Sequence, residues 1–253
     1  MPSPVIVVGM GELGGVFARG LLRAGHPVFP VTRRVPLALH SVDPELVLVT
    51  VGEAELDTLL AEVPDKYRDR LALVQNELLP RDWRAHGLST PTVAVVWFEK
   101  KPARPVNVVS PTVLFGRGAP LLEAALAALD IPARRAPDEG ALLTALVEKN
   151  LYILTTNLAG LRTGGTVAEL WRDQRELAET VAGEVLDIQE FLTEQKLVRE
   201  PLMRAFDEAV AADPQHRCTG RSAPVRLARA IGHADRGGLA VPTLRELAQE
   251  HQA

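Results

Sequence analysis

Cysteine is almost missing. Cys218 stands alone among 253 residues, so no intrachain disulfide can form, which fits a reducing compartment. Aromatic residues are scarce at 4%, leaving aliphatic side chains to fill the core. Nothing approaches the roughly 18 to 20 consecutive apolar residues that a membrane span needs. The opening "PVIVVG" carries no basic region, long apolar stretch or cleavage site of a leader. Neither sign of charge dominates: 28 Lys and Arg stand against 32 Asp and Glu, a formal net charge of −4. That balance gives no electrostatic reason to expect nucleic acid or an anionic membrane as partner. A Gly-x-Ser-x-Gly elbow and a Walker loop are both absent. "HRC", His216 to Cys218, lacks the second ligand pair of a zinc site. Short basic runs such as "EKKPAR" read as solvated loop charges. A cytoplasmic protein is the expectation.

The first half alternates β-rich runs with helical patterns, the signature of a parallel sheet flanked by helices. "PVIVVG", "PVFPVT", "LVLVTV", "RLALVQN" and "TVAVVWF" read as five strands, with Pro30 marking the second as an edge or an early end. "PVNVV" and "TVLFG" add a hairpin-like stretch, and "IPARRA" a last strand. From about Asp138 strand signals stop. Helical patterns cover Glu139–Arg162, Val167–Leu197 with a break expected near Gly183, Pro201–Ala212, Ala223–Arg236 and Pro242–His251. The spacing predicts an α/β domain over 1–137 and an all-helical domain over 138–253. Only "RRVPLALHSVDPE" separates the second and third strands, too little for the usual helix and strand.

"VVGMGELGG" places Gly9, Gly11 and Gly14 in Gly-x-Gly-x-x-Gly spacing between an apolar strand and a helix. In that context the first glycine permits the turn, the second lets a pyrophosphate approach, and the third lets helix pack on strand. The N–H groups opening the helix at Glu12, Leu13 and Gly14 would face the phosphates. The expected fold is therefore a Rossmann-type doubly wound sheet followed by helices. The second strand ends in "VTRR", with Thr32, Arg33 and Arg34 and no acid to accept a ribose 2′-hydroxyl. Two guanidiniums suit a 2′-phosphate, which favours NADP over NAD; a solvated basic loop is the alternative.

Further along, "LALVQNELLPRDW", "TVAVVWFEKKPARPVNVVSPTVLFGRG", "LVEKNLYILTTNLAGL" and "GRSAPVRLARAIGHADRGGLAVP" occur in the order of the ketopantoate reductase family, which the chain resembles over most of its length. The resemblance implies an NADP-dependent oxidoreductase that reduces a 2-keto acid or related carbonyl in an interdomain cleft. It implies Asn76 beside the nicotinamide, Lys149 as general acid, Asn157 on the substrate and Ser222 near it, with the helical domain serving substrate binding and homodimer formation. Independently, at about 100° per residue, Lys149, Asn150, Ile153 and Asn157 share one arc of a helix beside the apolar seam Val147, Leu151, Leu154, Leu158 and Leu161. Asn150 thereby joins the candidate substrate contacts; a solvated helix face is the other reading of that arc.

Four positions depart from the family pattern. Ile153 replaces an Asn, Glu77 a Gly, and Gly52–Glu53 stand where a Lys is expected; "GRSAPVRL" lacks the acid that binds the substrate hydroxyl. They keep a second reading open, a dinucleotide-binding sensor or partner protein without turnover. Glu12 poses its own problem, a carboxylate inside a phosphate loop. The helix dipole stabilises it by about 0.3–1 kcal/mol, yet it must turn aside for a dinucleotide. Glu12→Ala or Glu12→Ser is accordingly expected to tighten NADPH binding in a direct titration.

Overall fold

Four apolar residues without a polar interruption, Val5–Val8, form strand β1 and are buried throughout. The other strands are β2 (Val28–Val31), β3 (Leu46–Val49), β4 (Leu71–Leu73), β5 (Thr92–Val95), β6 (Phe98–Lys100), β7 (Val106–Val108), β8 (Thr112–Phe115) and β9 (Ala133–Arg135). The computed structural model describes residues 2–32, 36–37 and 41–252. Seven strands make one sheet in the order β2-β1-β3-β4-β5-β8-β9, while β6 and β7 form a separate antiparallel hairpin. The first five of these strands run parallel; β8 is antiparallel to β5, and β9 is parallel to β8. Pro30 lies on β2 at the sheet edge, where its missing N–H costs no ladder bond on the open side.

Helices α1 (Glu12–Arg23), α2 (Glu53–Glu62), α3 (Pro80–Arg84) and α4 (Ala119–Ala127) link the strands. Helix α1 stops where expected. Gly25 takes φ +90°, and the N–H groups of Gly25 and His26 reach the carbonyls of Leu22 and Leu21 at 3.1 and 2.9 Å. One face of the sheet, Val5, Val7, Leu46, Leu48, Ala72, Ala94 and Leu114, packs with Phe17 and Leu21 of α1 and Leu122 and Leu126 of α4. The alternate residues Ile6, Val47 and Val49 are equally buried, so both faces of the sheet are covered. This explains why the parallel strands read as unbroken apolar runs.

The chain divides into two compact units, Met1–Leu146 and Val147–Ala253. The sequence-based boundary at 137 marks where strands end; the division falls inside α5 (Glu139–Thr163), whose first turns are grouped with the sheet unit. The second unit continues with α6 (Val167–Asp173), α7 (Arg175–Thr193), α8 (Arg199–Ala212), α9 (Ala223–Gly237) and α10 (Pro242–Gln252). The break expected near Gly183 falls instead at Gln174, with φ −132° and ψ 38°. A mid-helix glycine costs about 1 kcal/mol against alanine, and the buried Val181, Ala182, Val185 and Leu186 around Gly183 outweigh it. Among the described residues no helix is long and apolar enough to cross a membrane.

Buried Glu184 on α7 fixes the last helix. Its carboxylate accepts from the backbone N–H groups of Thr243 and Leu244 at 2.8 and 2.9 Å, satisfying donors that open α10. Glu184→Ala orphans two backbone donors. It is expected to cost about 1–3 kcal/mol and to lower the melting temperature by several degrees in a thermal unfolding scan, with Glu184→Gln losing less.

Candidate functional site

At the carboxyl end of β1 the chain must leave the sheet and enter α1 within three residues. Gly9 makes the turn at φ +92°. A Cβ there would press on the backbone of Thr50 and Val51 at 3.1 Å. Gly14 is tighter still, since a Cβ would stand 2.1 Å from the Gly9 carbonyl oxygen and 2.6 Å from the Thr50 hydroxyl. Gly11 differs: among the described residues a Cβ there would meet nothing within 4 Å. Two glycines therefore answer to the protein's own packing, and the third faces open space. Gly11 is also the N-cap of α1 and has no side chain with which to cap it. The first-turn N–H groups at Glu12, Leu13 and Gly14 have no acceptor within the helix, so the loop presents donors and room together. These residues fit a pyrophosphate.

Glu12 does not project into solvent alone. Lys100, at the end of β6, places its ammonium 2.9 Å from the Glu12 carboxylate and donates to the Lys101 carbonyl at 2.7 Å. The hairpin is seated by Phe98, whose ring lies 6.0 Å from that of Phe17 on α1. Phe98 and Lys100 share one face of the strand. Two strand residues advance about 6.6 Å, and Phe17 to Glu12 is about 7.5 Å along the helix, so packing at the ring pair carries the ammonium to the start of α1. "EKKPAR", which reads from sequence as loop charges, thus holds the lysine that pairs with Glu12.

At the end of β4, buried Gln75 ties two strand ends together. Its amide donates to the carbonyls of Val49 and Val51 at 2.8 and 3.2 Å, and its oxygen accepts from Val74 N–H at 3.0 Å. Asn76 follows, half-buried, at the carboxyl end of the sheet, where ligands of open parallel sheets sit. Glu77 stands where the resembled family has glycine and takes φ +61°, a backbone that disfavours side chains. Gly52, in place of the expected lysine, caps α2, its N–H donating to Glu55 at 3.3 Å. Thr32 follows β2 and is exposed. Arg33 and Arg34 lie outside the described residues.

In the second unit, Lys149 and Ile153 of α5 are half-buried, whereas Asn150 and Asn157 are buried. The Asn150 amide donates to Gln189 of α7 at 3.1 Å. Both ends of Asn157 are engaged: its amide donates to the Cys218 carbonyl at 3.0 Å, and its oxygen accepts from Arg226 at 2.7 Å. Arg226, on α9, is itself buried and was not singled out by sequence; its only signal is a place one helical turn after Ser222, whose carbonyl accepts its N–H. Ser222 is the exposed N-cap of α9. Helix α5 approaches Cys218 so closely that a Cβ on Gly160 would lie 2.5 Å from that of the cysteine. Burial, with a smaller push from the Glu169 charge that Arg217 opposes, raises the Cys218 thiol to about 11. The thiol therefore stays protonated near neutral pH.

No protein-family model and no curated protein sequence matches the chain. Solved structures do. The PanE/ApbA family ketopantoate reductase from Ralstonia eutropha JMP134 superposes with a TM-score of 0.71 at 18% identity, over 98% of this chain and 97% of that one. The dimeric ketopantoate reductase from Staphylococcus aureus gives 0.70 at 13% identity, over 98% and 97%. A D-mandelate dehydrogenase solved with NADH and anilino(oxo)acetate gives 0.67 at 12% identity, also over 98% and 97%. The chain has the fold of the ketopantoate reductases, a parallel sheet unit followed by a helical one.

The unequal surroundings of the glycines separate packing from ligand binding. Gly14→Ala is expected to destabilise by about 1–3 kcal/mol or more through overpacking, read as a lowered melting temperature. Gly11→Ala is expected to shift stability by under about 1 kcal/mol yet to weaken dinucleotide binding strongly in a titration.

Proposed function

We propose that the chain is an NADP-dependent reductase of a small 2-keto acid or a related carbonyl compound. The observation that carries the proposal is the glycine loop, with Gly9 and Gly14 packed against protein and Gly11 open over an uncapped helix start. The loop, the Thr32–Arg34 segment and Asn76 would hold the dinucleotide, which when bound supplies a hydride to the carbonyl carbon. Arg33 and Arg34 are the basis for preferring a 2′-phosphate. The mandelate dehydrogenase of the same fold was solved with NADH, so the preference rests on these two arginines alone.

Lys149 is assigned the proton transfer. Its ammonium would donate to the carbonyl oxygen as negative charge develops there, then regain a proton from solvent. Asn150 and Ser222 are proposed substrate contacts. Asn157 is proposed to act on substrate through Arg226, since both of its amide ends are already engaged. The dimeric fold neighbour supports a homodimer.

A second reading, a dinucleotide-binding protein without turnover, is favoured by two features. "GRSAPVRL" has no acid for a substrate hydroxyl, and Ile153 offers no hydrogen bond. Steady-state NADPH oxidation against a panel of 2-keto acids that includes ketopantoate decides between the two. The reductase reading expects turnover on at least one acid, and Lys149→Ala to lower kcat by about 10²–10⁴-fold with NADPH affinity unchanged. Tight NADPH binding with no turnover on any member selects the second reading, and full activity in Lys149→Ala removes the proton donor.

A further inference from the structure

The dinucleotide reading leaves one group unexplained. A carboxylate stands in the phosphate loop, and an ammonium from a distant hairpin is held against it. Lys100 is 88 residues from Glu12, and its side chain is 20% exposed against 44% for the carboxylate. The Phe17–Phe98 contact holds the hairpin on α1, so the lysine is built into the site rather than draped over it. Of its three N–H donors, one meets Glu12 and one the Lys101 carbonyl. The third has no acceptor among the described residues. The loop itself brings only backbone donors to the phosphates, and Gly52 stands where the resembled family brings a lysine. A cation is instead brought from β6 to the carboxylate in the first turn of α1.

We propose that Lys100 is a phosphate-binding residue of the dinucleotide site, held on Glu12 until the pyrophosphate takes that carboxylate's place. The inference rests on the dinucleotide reading above and adds a residue to it. Before binding, Glu12 occupies the positive end of α1 and keeps the lysine extended across the helix start. A pyrophosphate at the Gly11 N-cap offers two negative charges to the same donors. The carboxylate then rotates to solvent, which its exposure permits, and the ammonium transfers to a phosphate oxygen without moving the hairpin. Glu12 becomes a competitor whose strength sets the affinity for the cofactor, and Lys100 a ligand that both anions contest.

A double-mutant cycle separates this role from simple neutralisation of Glu12. Dissociation constants for NADPH, and for ADP-ribose as a probe with the pyrophosphate but no nicotinamide, are measured by calorimetry for the natural chain, Lys100→Ala, Glu12→Gln and the double variant. The pair is partly exposed, so its removal leaves the fold intact, checked by thermal unfolding. Lys100→Ala is expected to weaken both ligands about tenfold, and Glu12→Gln to tighten both. The double variant is expected to bind at least about tenfold more weakly than Glu12→Gln alone, while 2′-AMP, which lacks a pyrophosphate, is unaffected by loss of Lys100. A double variant that binds as tightly as Glu12→Gln overturns the proposal, because Lys100 then only neutralises the acid. Absence of NADPH and ADP-ribose binding to the natural chain overturns the dinucleotide reading and the inference with it. Binding that is intact in Lys100→Ala overturns the inference alone.

Discussion

Gly14 lies so close to the Gly9 carbonyl and the Thr50 hydroxyl that no side chain fits between them. That contact sets where α1 begins and how near it comes to the ends of β1 and β3. The Thr50 hydroxyl sits 3.0 Å from the Val8 carbonyl and 2.5 Å from that of Gly9, fastening the turn to the neighbouring strand. With the helix start fixed, its unsatisfied N–H groups and the dipole behind them are aimed at one place. Gly11 keeps that place open. The rest of the sheet unit can be understood from this point outward: α1 buries Phe17, Phe17 receives Phe98, and Phe98 brings Lys100 to the loop.

Much of this order was legible from local pattern. The strands were visible because parallel strands covered on both faces become unbroken apolar runs. Gly25 and Pro30 stood at the helix end and the sheet edge where their backbone constraints placed them. The glycine spacing pointed to a turn, and the structure separates its three members into two packing positions and one open one. The helix break after Asp173 was not legible, because a glycine is a weak breaker when its neighbours are buried. Nor was the extent to which α5 is enclosed. Its arc of Lys149, Asn150 and Asn157 read as a polar wall, yet Asn150 and Asn157 spend their amides on Gln189, Cys218 and Arg226, partners 39 to 69 residues away. Side-chain partners that distant carry no sequence period and appear only in the folded chain.

The same limit explains Glu12. Read along the chain, the acid opposes a phosphate in its own loop. In the fold it is half of an ion pair, and its counter-charge comes from a basic run without any motif. The sheet unit sets an open helix start behind its glycine loop, while the helical unit carries Ile153 on α5 and buried Arg226 on α9. The departures from the resembled pattern fall on both units, Glu77 and Gly52–Glu53 in the first and Ile153 and "GRSAPVRL" in the second.

Cofactor binding at this loop comes down to the position of the pyrophosphate. A crystal structure of the chain with NADPH tests it directly. The phosphates are expected against the N–H groups that open α1, over Gly11, with the Glu12 carboxylate turned away and the Lys100 ammonium on a phosphate oxygen. A dinucleotide bound elsewhere, with the glycine loop empty and the Glu12–Lys100 pair intact, would contradict it.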